Sequence, residues 1–221
     1  MSTVVEPARW TAAAAVERRI RLSGVDWETF QKLALTTRGG RFAFDRGVLE
    51  IMSPGPLHES YKGVLDDFVR SVVRALGVQW LPMGSTTWGR EEADRGIEAD
   101  ECFYLTPEKI DAANDAVARK SNDPAEYPPP DLAVEVDLSR PAVDRAAIYA
   151  TIGVIEVWRF DGESLVVGQL QEDGTYAAAE SSRFLPIRAE DIRRWLVDED
   201  SRNRSAWEGR LAEWARGLTS G

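Results

Sequence analysis

The 221-residue chain is 43% apolar and 29% charged, and its 27 Lys and Arg against 37 Asp and Glu leave a formal net charge of −10. That composition excludes a disordered chain, and no apolar run approaches the ~20 residues of a bilayer span. A single cysteine, Cys102, and a single histidine, His58, exclude an internal disulfide, a thiolate zinc cluster and a multi-histidine metal site. Any metal would therefore be a hard ion held by carboxylates. The alanine-rich Thr11–Val16 runs straight into Glu17-Arg18-Arg19, so no secretory signal is read and a cytoplasmic location is expected.

Residues 1–16 read as an irregular arm, 17–197 as the main domain and 198–221 as a C-terminal amphipathic helix. Ile20-Arg21-Leu22 reads as a short strand, and Asp26 is placed to cap a helix beginning near Trp27. Arg41–Asp45 and Val48–Met52 flank Arg46-Gly47, a hairpin signal. After the Ser53-Pro54-Gly55-Pro56 break, apolar residues recur with helical spacing at Val64, Leu65, Phe68, Val69, Val72, Val73 and Leu76, and Gly77 supplies a C-cap. A β segment is read around Ser85–Trp88 and a solvated acidic loop at Glu91–Asp94. Ile97–Leu105 reads as one strand with Glu98, Asp100, Cys102 and Tyr104 on one face.

Residues 107–130 are polar, end in three prolines, and read as an inserted surface loop with at most one helical turn. Asp131–Leu138 alternates strictly, as a strand does. A helix is expected from Ser139-Arg140-Pro141 to about Ile152, then strands at Val154–Phe160, Leu165–Leu170 and Thr175–Ala178. Ile192–Val197 and Trp207–Leu218 read as amphipathic helices. The stripe of Trp207, Leu211, Trp214 and Leu218 would dock on the chain's own body or on a second subunit. The class is α/β with a central mixed sheet.

Glu135 and Asp137 fall on one strand face, ~6.6 Å apart along the strand. Acids on an inward face need a cation or donors, and Asp100, with Glu98 two residues earlier, offers a second source on another strand. Two strands delivering carboxylates to one sheet edge suit Mg²⁺, which takes few carboxylates and keeps waters. An outer face with solvated acids explains the same pattern. Glu59 opens the long helix, where an acid also serves the helix dipole; the functional reading brings it to the same cluster. Arg145 is placed to fold over the strand acids or to pair at the surface with Asp144. Arg18, Arg19 and Arg21, and the arginines from Arg183 to Arg194, are candidates for a phosphate-facing surface, or for a salt-bridged exterior. Trp158 reads as core, as does Trp88, although its neighbour Arg90 leaves a nucleic-acid contact open.

Gly47–Pro54, His58-Glu59, Glu98–Tyr104, Pro130–Ser139 and Ile148–Arg159 occur in order. As a set they resemble the Uma-type family of bacterial restriction endonucleases, within the PD-(D/E)XK nuclease superfamily, over roughly residues 17–197. The resemblance implies a restriction-endonuclease-like core, a mixed β-sheet flanked by helices, with a Mg²⁺-dependent (or Mn²⁺-dependent) site that hydrolyses DNA phosphodiesters. It assigns Asp100 and Glu135 as metal ligands, Glu59 as the acid from the first core helix, Arg145 as the phosphate-stabilising cation and Asp137 as an outer contact. A homodimer and no membrane association are expected with it.

Two positions depart from the family pattern: Ala99 stands for a proline, and Arg145 for a lysine. Arginine cannot act as a base near neutral pH, but it can hold a phosphate oxygen. With 23 Arg against four Lys in the whole chain, that exchange follows the general composition. The alternative reading is a nuclease-fold protein without catalysis, acting as a binding or assembly module. A third is a metal-free carboxylate-pair hydrolase such as a glycosidase, which needs an open sugar cleft between its acids.

Overall fold

A computed structural model describes residues 17–37, 39–197 and 199–218; the expected N-terminal arm, 1–16, lies outside them. The chain runs β1 (Arg18–Ser23), α1 (Trp27–Thr36), β2 (Arg41–Asp45), β3 (Val48–Ser53), α2 (Pro56–Leu76), β4 (Leu81–Pro82), β5 (Thr87–Arg90), β6 (Arg95–Glu98), β7 (Glu101–Tyr104), α3 (Pro107–Ala118), β8 (Leu132–Val136), α4 (Arg145–Ile152), β9 (Glu156–Phe160), β10 (Leu165–Leu170), β11 (Tyr176–Ala179), α5 (Ala189–Val197) and α6 (Arg204–Gly217). Two sheets result. One, in the order β1-β3-β2-β6-β5, is antiparallel throughout; the other, β11-β10-β9-β8-β7-β4, is mixed, its one parallel pair being β8 with β9.

The local reasons are visible in the sequence. Arg46 and Gly47 both take positive φ, 47° and 85°, the turn whose twist matches a two-residue hairpin. Pro56 begins α2 at a position where no amide hydrogen is needed, and Gly77 ends it at φ 66°. The apolar stripe of α2 packs with Trp207 and Leu211 of α6 onto Val134, Val136, Trp158 and Phe160 of the mixed sheet. The C-terminal helix therefore docks on its own chain. The opposite face of that sheet packs Ala133 and Val157 against Ile148, Tyr149 and Ile152 of α4, with Ile97 and Trp88 of the other sheet. A third cluster holds α1 on the antiparallel sheet through Phe30, Phe42, Phe44 and Leu49. Trp88 and Trp158 are core, 3% and 0% exposed.

Three expectations change. The single strand 97–105 is two, β6 and β7, in different sheets. The chain crosses at Ala99-Asp100, where both residues stay buried. Alternation continues through the crossing, so spacing alone conceals the change of partner. The expected loop at 107–130 contains α3, whose buried stripe is only Ile110, Ala113 and Ala116, too small a set of methyl groups to stand out from polar neighbours. Its start is held by Asp131, whose Oδ2 accepts from Leu105 N, Thr106 N and Thr106 Oγ1, each at 2.8 Å. Finally, α4 begins at Arg145, not at Ser139. Asp144 caps it by accepting from Ala147 N, while the preceding backbone is committed elsewhere: Leu138 N and Ser139 N donate to Glu17, and Ala142 N to Glu50.

Candidate active site

Where β8 ends, two acids face α4. Glu135 is fully buried, and Asp137 follows the strand, its amide still bonded to Phe160 O at 2.9 Å. Arg145 and Tyr149 lie one helical turn apart on α4, so both face the strand. Arg145 Nη1 reaches Glu135 Oε2 at 2.7 Å and Asp137 Oδ1 at 2.9 Å. Tyr149 donates its hydroxyl to Glu135 Oε1. The guanidinium is itself almost fully buried.

Asp100 enters from the crossing between sheets. Its Oδ2 accepts from Val136 N at 2.8 Å, one residue beyond Glu135. Its Oδ1 meets His58 Nε2 at 3.0 Å and Arg41 Nε at 3.3 Å, and Arg41 also holds Glu98 at 2.9 Å. His58, buried in the first turn of α2, uses its other nitrogen on Glu17 Oε1 at 2.7 Å. Arg19 of β1 then joins Glu17, Glu50 and Asp137 at 2.9, 2.6 and 3.0 Å. One continuous network thus links the antiparallel sheet, α2, the end of β8 and α4.

Its electrostatics are unbalanced. Six carboxylates (Glu17, Glu50, Glu98, Asp100, Glu135, Asp137) meet four cationic groups (Arg19, Arg41, His58, Arg145). Burial works against a charged His58, but hydrogen bonds to Asp100 and Glu17 prevail and raise it to about 9. Both ring nitrogens therefore carry hydrogens and donate. Burial likewise opposes ionisation of Glu17, yet His58, Ser139 and Arg19 hold it down at about 2. Asp100 is lowered despite complete burial, chiefly by His58. Glu135 goes the other way: burial, aided by the charges of Asp100 and Asp137, pushes it up to about 8 against the pull of Arg145. Of two neighbouring buried carboxyls, Asp100 takes the charge and Glu135 takes a proton.

Of the residues singled out from sequence, the structure brings together Asp100, Glu135, Asp137 and Arg145. It does not bring Glu59 to them. Glu59 is exposed, and its charge acts on Arg41; its neighbour His58 occupies the inward position instead, one residue being ~100° of helix rotation. Sequence reading gave no role in this network to His58, Tyr149, Glu17, Arg41 or Glu50, and it read Arg19 as a phosphate-facing or surface residue. The helical spacing of Tyr149 from Arg145 was the available signal for one of these, and Glu50 within an otherwise apolar strand for another. Arg19 is spent inside the network, and Arg188 and Arg194 pair with nearby acids, so the two arginine groups read as phosphate-facing are largely engaged.

Among the described residues, no group of three or more His, Cys, Asp or Glu is arranged to hold a metal ion. The expected three-carboxylate set is not formed. The pair that is formed still has the donor chemistry of a small hard cation, since Mg²⁺ takes one or two carboxylates and fills its shell with water and phosphate oxygens. Glu135 Oε2 is buried and accepts no well-aligned hydrogen bond, its one close partner being the Arg145 guanidinium at 2.7 Å. The neighbouring Arg145 has to give way for an ion to use it. A sugar cleft between these acids is absent from the arrangement, because Asp100 and Glu135 are both 0% exposed.

Among the described residues, no helix is long and apolar enough to cross a membrane. Among curated proteins no sequence matches the chain. Solved structures similar to it include a crystal structure from Anabaena variabilis ATCC 29413 described as a "putative nuclease belonging to DUF820". That structure shares 13% identity with a TM-score of 0.51, over 78% of this chain and 99% of its own. This likeness establishes the fold, a mixed α/β architecture with two sheets flanked by helices. The Uma2 family profile, described as "Putative restriction endonuclease", matches residues 27–192, and the chain belongs to that family.

Proposed function

We propose that the protein is a metal-dependent endonuclease that hydrolyses phosphodiester bonds in DNA. The observation that carries this reading is the buried pair Asp100 and Glu135, set on neighbouring strand ends with Arg145 against them. In this reading Asp100 and Glu135 hold Mg²⁺ or Mn²⁺, and Glu59 stays outside the first ligand set. The bound ion would supply an activated water and neutralise charge on the phosphate.

The chain's own groups do the rest. Val136 N and the imidazolium of His58 fix both oxygens of Asp100, so its orientation is set before any ligand arrives. Tyr149 fixes Glu135. Burial pushes Glu135 up to about 8, so a dication held by the pair would bind in competition with a proton on that carboxyl. Arg145, charged at all working pH values, serves as a phosphate-oxygen donor and not as a base. Asp137 keeps the guanidinium at the site when its bond to Glu135 is given up. Cutting both strands calls for two such sites, which a homodimer supplies.

Plasmid nicking with Mg²⁺ or Mn²⁺ tests the reading. Wild type should nick, and Asp100→Ala and Glu135→Gln should each lose at least ~100-fold, as loss of a metal ligand does. Equal rates in wild type and Asp100→Ala remove it. A second reading, a non-catalytic binding module, is favoured by one observation: Arg145 already fills the place beside Glu135 with an internal cation. Calorimetry separates the two. Mg²⁺ or Mn²⁺ binding that disappears in Glu135→Ala supports the enzyme; no metal binding at all supports the module.

A further inference from the structure

A chain with net charge −10 can approach DNA only through a local concentration of uncommitted cations. Most of the arginines in the described residues are spent on carboxylates, on backbone carbonyls or on aromatic rings. Two that are not stand beside the candidate active site. Arg140 and Arg159 are exposed, and neither forms an ion pair with a described acid within 4.0 Å.

Their placement is set by the fold. Arg159 is the register partner of Glu135 across the parallel β8–β9 pair, so the two residues share one face of the sheet at a strand spacing of about 4.8 Å. Glu135 turns under α4, whereas Arg159 reaches solvent. Arg140 lies in the segment between β8 and α4, three residues past Asp137. Both border a cleft of about 430 Å³ whose wall also includes Asp137, Ser139 and Ser164, a size within the roughly 300–1,000 Å³ of small-ligand pockets. Asp137 is the carboxylate that binds Arg145 at 2.9 Å, so the cleft opens directly onto the cluster.

The acids at the rim offset this only in part. Asp161 is held mainly by its own tight turn, with Oδ1 accepting from Glu163 N at 3.0 Å and Ser164 N at 2.7 Å, and the charge of Arg159 adds a smaller pull on it without forming an ion pair. Glu163 draws in a further guanidinium, its carbonyl accepting from Arg193 Nε at 2.9 Å.

We infer that this cleft is the backbone-binding subsite for DNA, with Arg140 and Arg159 each contacting a phosphate that flanks the scissile one. The inference rests on the nuclease reading and adds to it the surface that receives the strand. The exposed Ser164 hydroxyl offers a neutral donor to the same sugar–phosphate unit, whereas the Ser139 hydroxyl is already given to Glu17 at 2.7 Å. No base contact is implied, so the subsite positions the strand and carries no sequence preference.

The test uses the full chain and duplex DNA. Affinity is measured without divalent metal across a salt series, and nicking is measured with Mg²⁺. The variants are Arg140→Gln with Arg159→Gln, the matching pair of lysine substitutions, and a control of equal charge change, Arg202→Gln with Arg210→Gln. Thermal melts confirm folding. The cleft pair should bind about 10–100-fold more weakly at low salt, with the slope of log K against log salt shallower by about 2, one phosphate contact being worth about 0.9. In nicking, KM should rise more than kcat falls. Lysines should restore most of the binding, and the control should match wild type. If the cleft pair binds with wild-type affinity and slope while wild type nicks DNA, this subsite is wrong and the nuclease reading survives. If the control weakens binding as much as the cleft pair, only net charge matters and the subsite is equally wrong. If wild type neither binds nor nicks DNA, both fall together.

Discussion

Glu135 and Glu156 are both fully buried acids on the parallel strand pair at the middle of the mixed sheet, and they are treated in opposite ways. Glu156 accepts four hydrogen bonds from uncharged donors: Trp158 Nε1 and Ser182 Oγ on one oxygen at 2.7 Å, Gln169 Nε2 and Arg183 N on the other at 3.2 and 2.6 Å. Its lone pairs are spent on fastening the 181–183 segment to the sheet. Glu135 has a hydroxyl on one oxygen and, on the other, a guanidinium at ion-pair distance without an aligned hydrogen bond, beside a second buried carboxyl. A structural acid is saturated by its neighbours; the acid at the candidate site is left under-supplied and pushed up to about 8. The difference separates a carboxylate the fold needs from one the fold tolerates for another purpose.

The largest break in that comparison is on the Glu156 side. Glu156→Ala should cost about 3 kcal/mol in chemical denaturation, since it strands the buried Trp158 donor, removes three part-buried bonds that fasten the 181–183 segment, and opens a cavity. Glu135→Gln should change stability by no more than about 1 kcal/mol at pH 6, where the native carboxyl already carries a proton. A Glu135→Gln protein as destabilised as Glu156→Ala would mean that the two acids do the same work. Next in size is Arg145→Met. Removing one partner of a buried pair usually costs about 3–5 kcal/mol because a charge is left bare. Here Glu135 can stay neutral, so the loss should be about 2 kcal/mol at pH 6, growing above pH 8 as the native pair ionises. A loss that does not depend on pH would contradict the assignment of the proton to Glu135.

The same imbalance sets how the whole protein responds to pH. His58 is raised from 6.5 to about 9 and Glu135 from 4.5 to about 8. A group raised on folding stabilises fully below its unfolded value and loses that contribution as pH climbs through its folded value. Stability should therefore decline between about pH 4.5 and 9, most steeply from 6.5 to 8 where both groups lose together. Glu17, lowered to about 2, acts in the other direction: its contribution is present above 4.5 and disappears as pH drops through 2. Denaturation midpoints at intervals from pH 5 to 9 check this. His58→Gln should flatten the upper part of the profile and Glu135→Gln the lower part. A profile that rises across this range would overturn both assignments.

The sequence carried much of this, but unevenly. The helices α2 and α6 were legible because large apolar residues repeat on one face, and β8 because its alternation is strict. The α3 helix was not, because a stripe of one isoleucine and two alanines offers little contrast. Asp100, Glu135 and Arg145 could be picked out as an acid, an acid and a cation near strand and helix ends. Their shared location was expected from acids on two strands and from the family resemblance; what spacing could not show is how it arises, since it depends on the chain switching sheets at Ala99-Asp100, and alternation runs through that switch unbroken. Glu59 was preferred to His58 because the family resemblance calls for an acid from the first core helix; helix rotation, which sequence does not fix to within one residue, decided for His58. Arg19 and Glu17 were beyond reach because their partners, Asp137 and Ser139, lie more than a hundred residues away.

The smallest effect tests the finest point of the comparison. Tyr149 gives Glu135 a hydrogen bond from its hydroxyl, and a donor to a carboxyl favours the ionised form. Tyr149→Phe should cost about 1 kcal/mol and move the Glu135 midpoint further above about 8, shifting the lower limb of the stability profile to higher pH. Ser182→Ala removes one of four donors from Glu156 and should cost a similar amount or less, because three donors remain on a carboxylate already well supplied. Two hydroxyls of equal standing as hydrogen-bond donors would then differ in what they control. One sets how readily its acid gives up a proton; the other only helps to hold a strand in place. If Tyr149→Phe leaves the pH profile where it was, the hydroxyl is not governing Glu135, and the proton balance of the site must be sought in Arg145 and Asp100 alone.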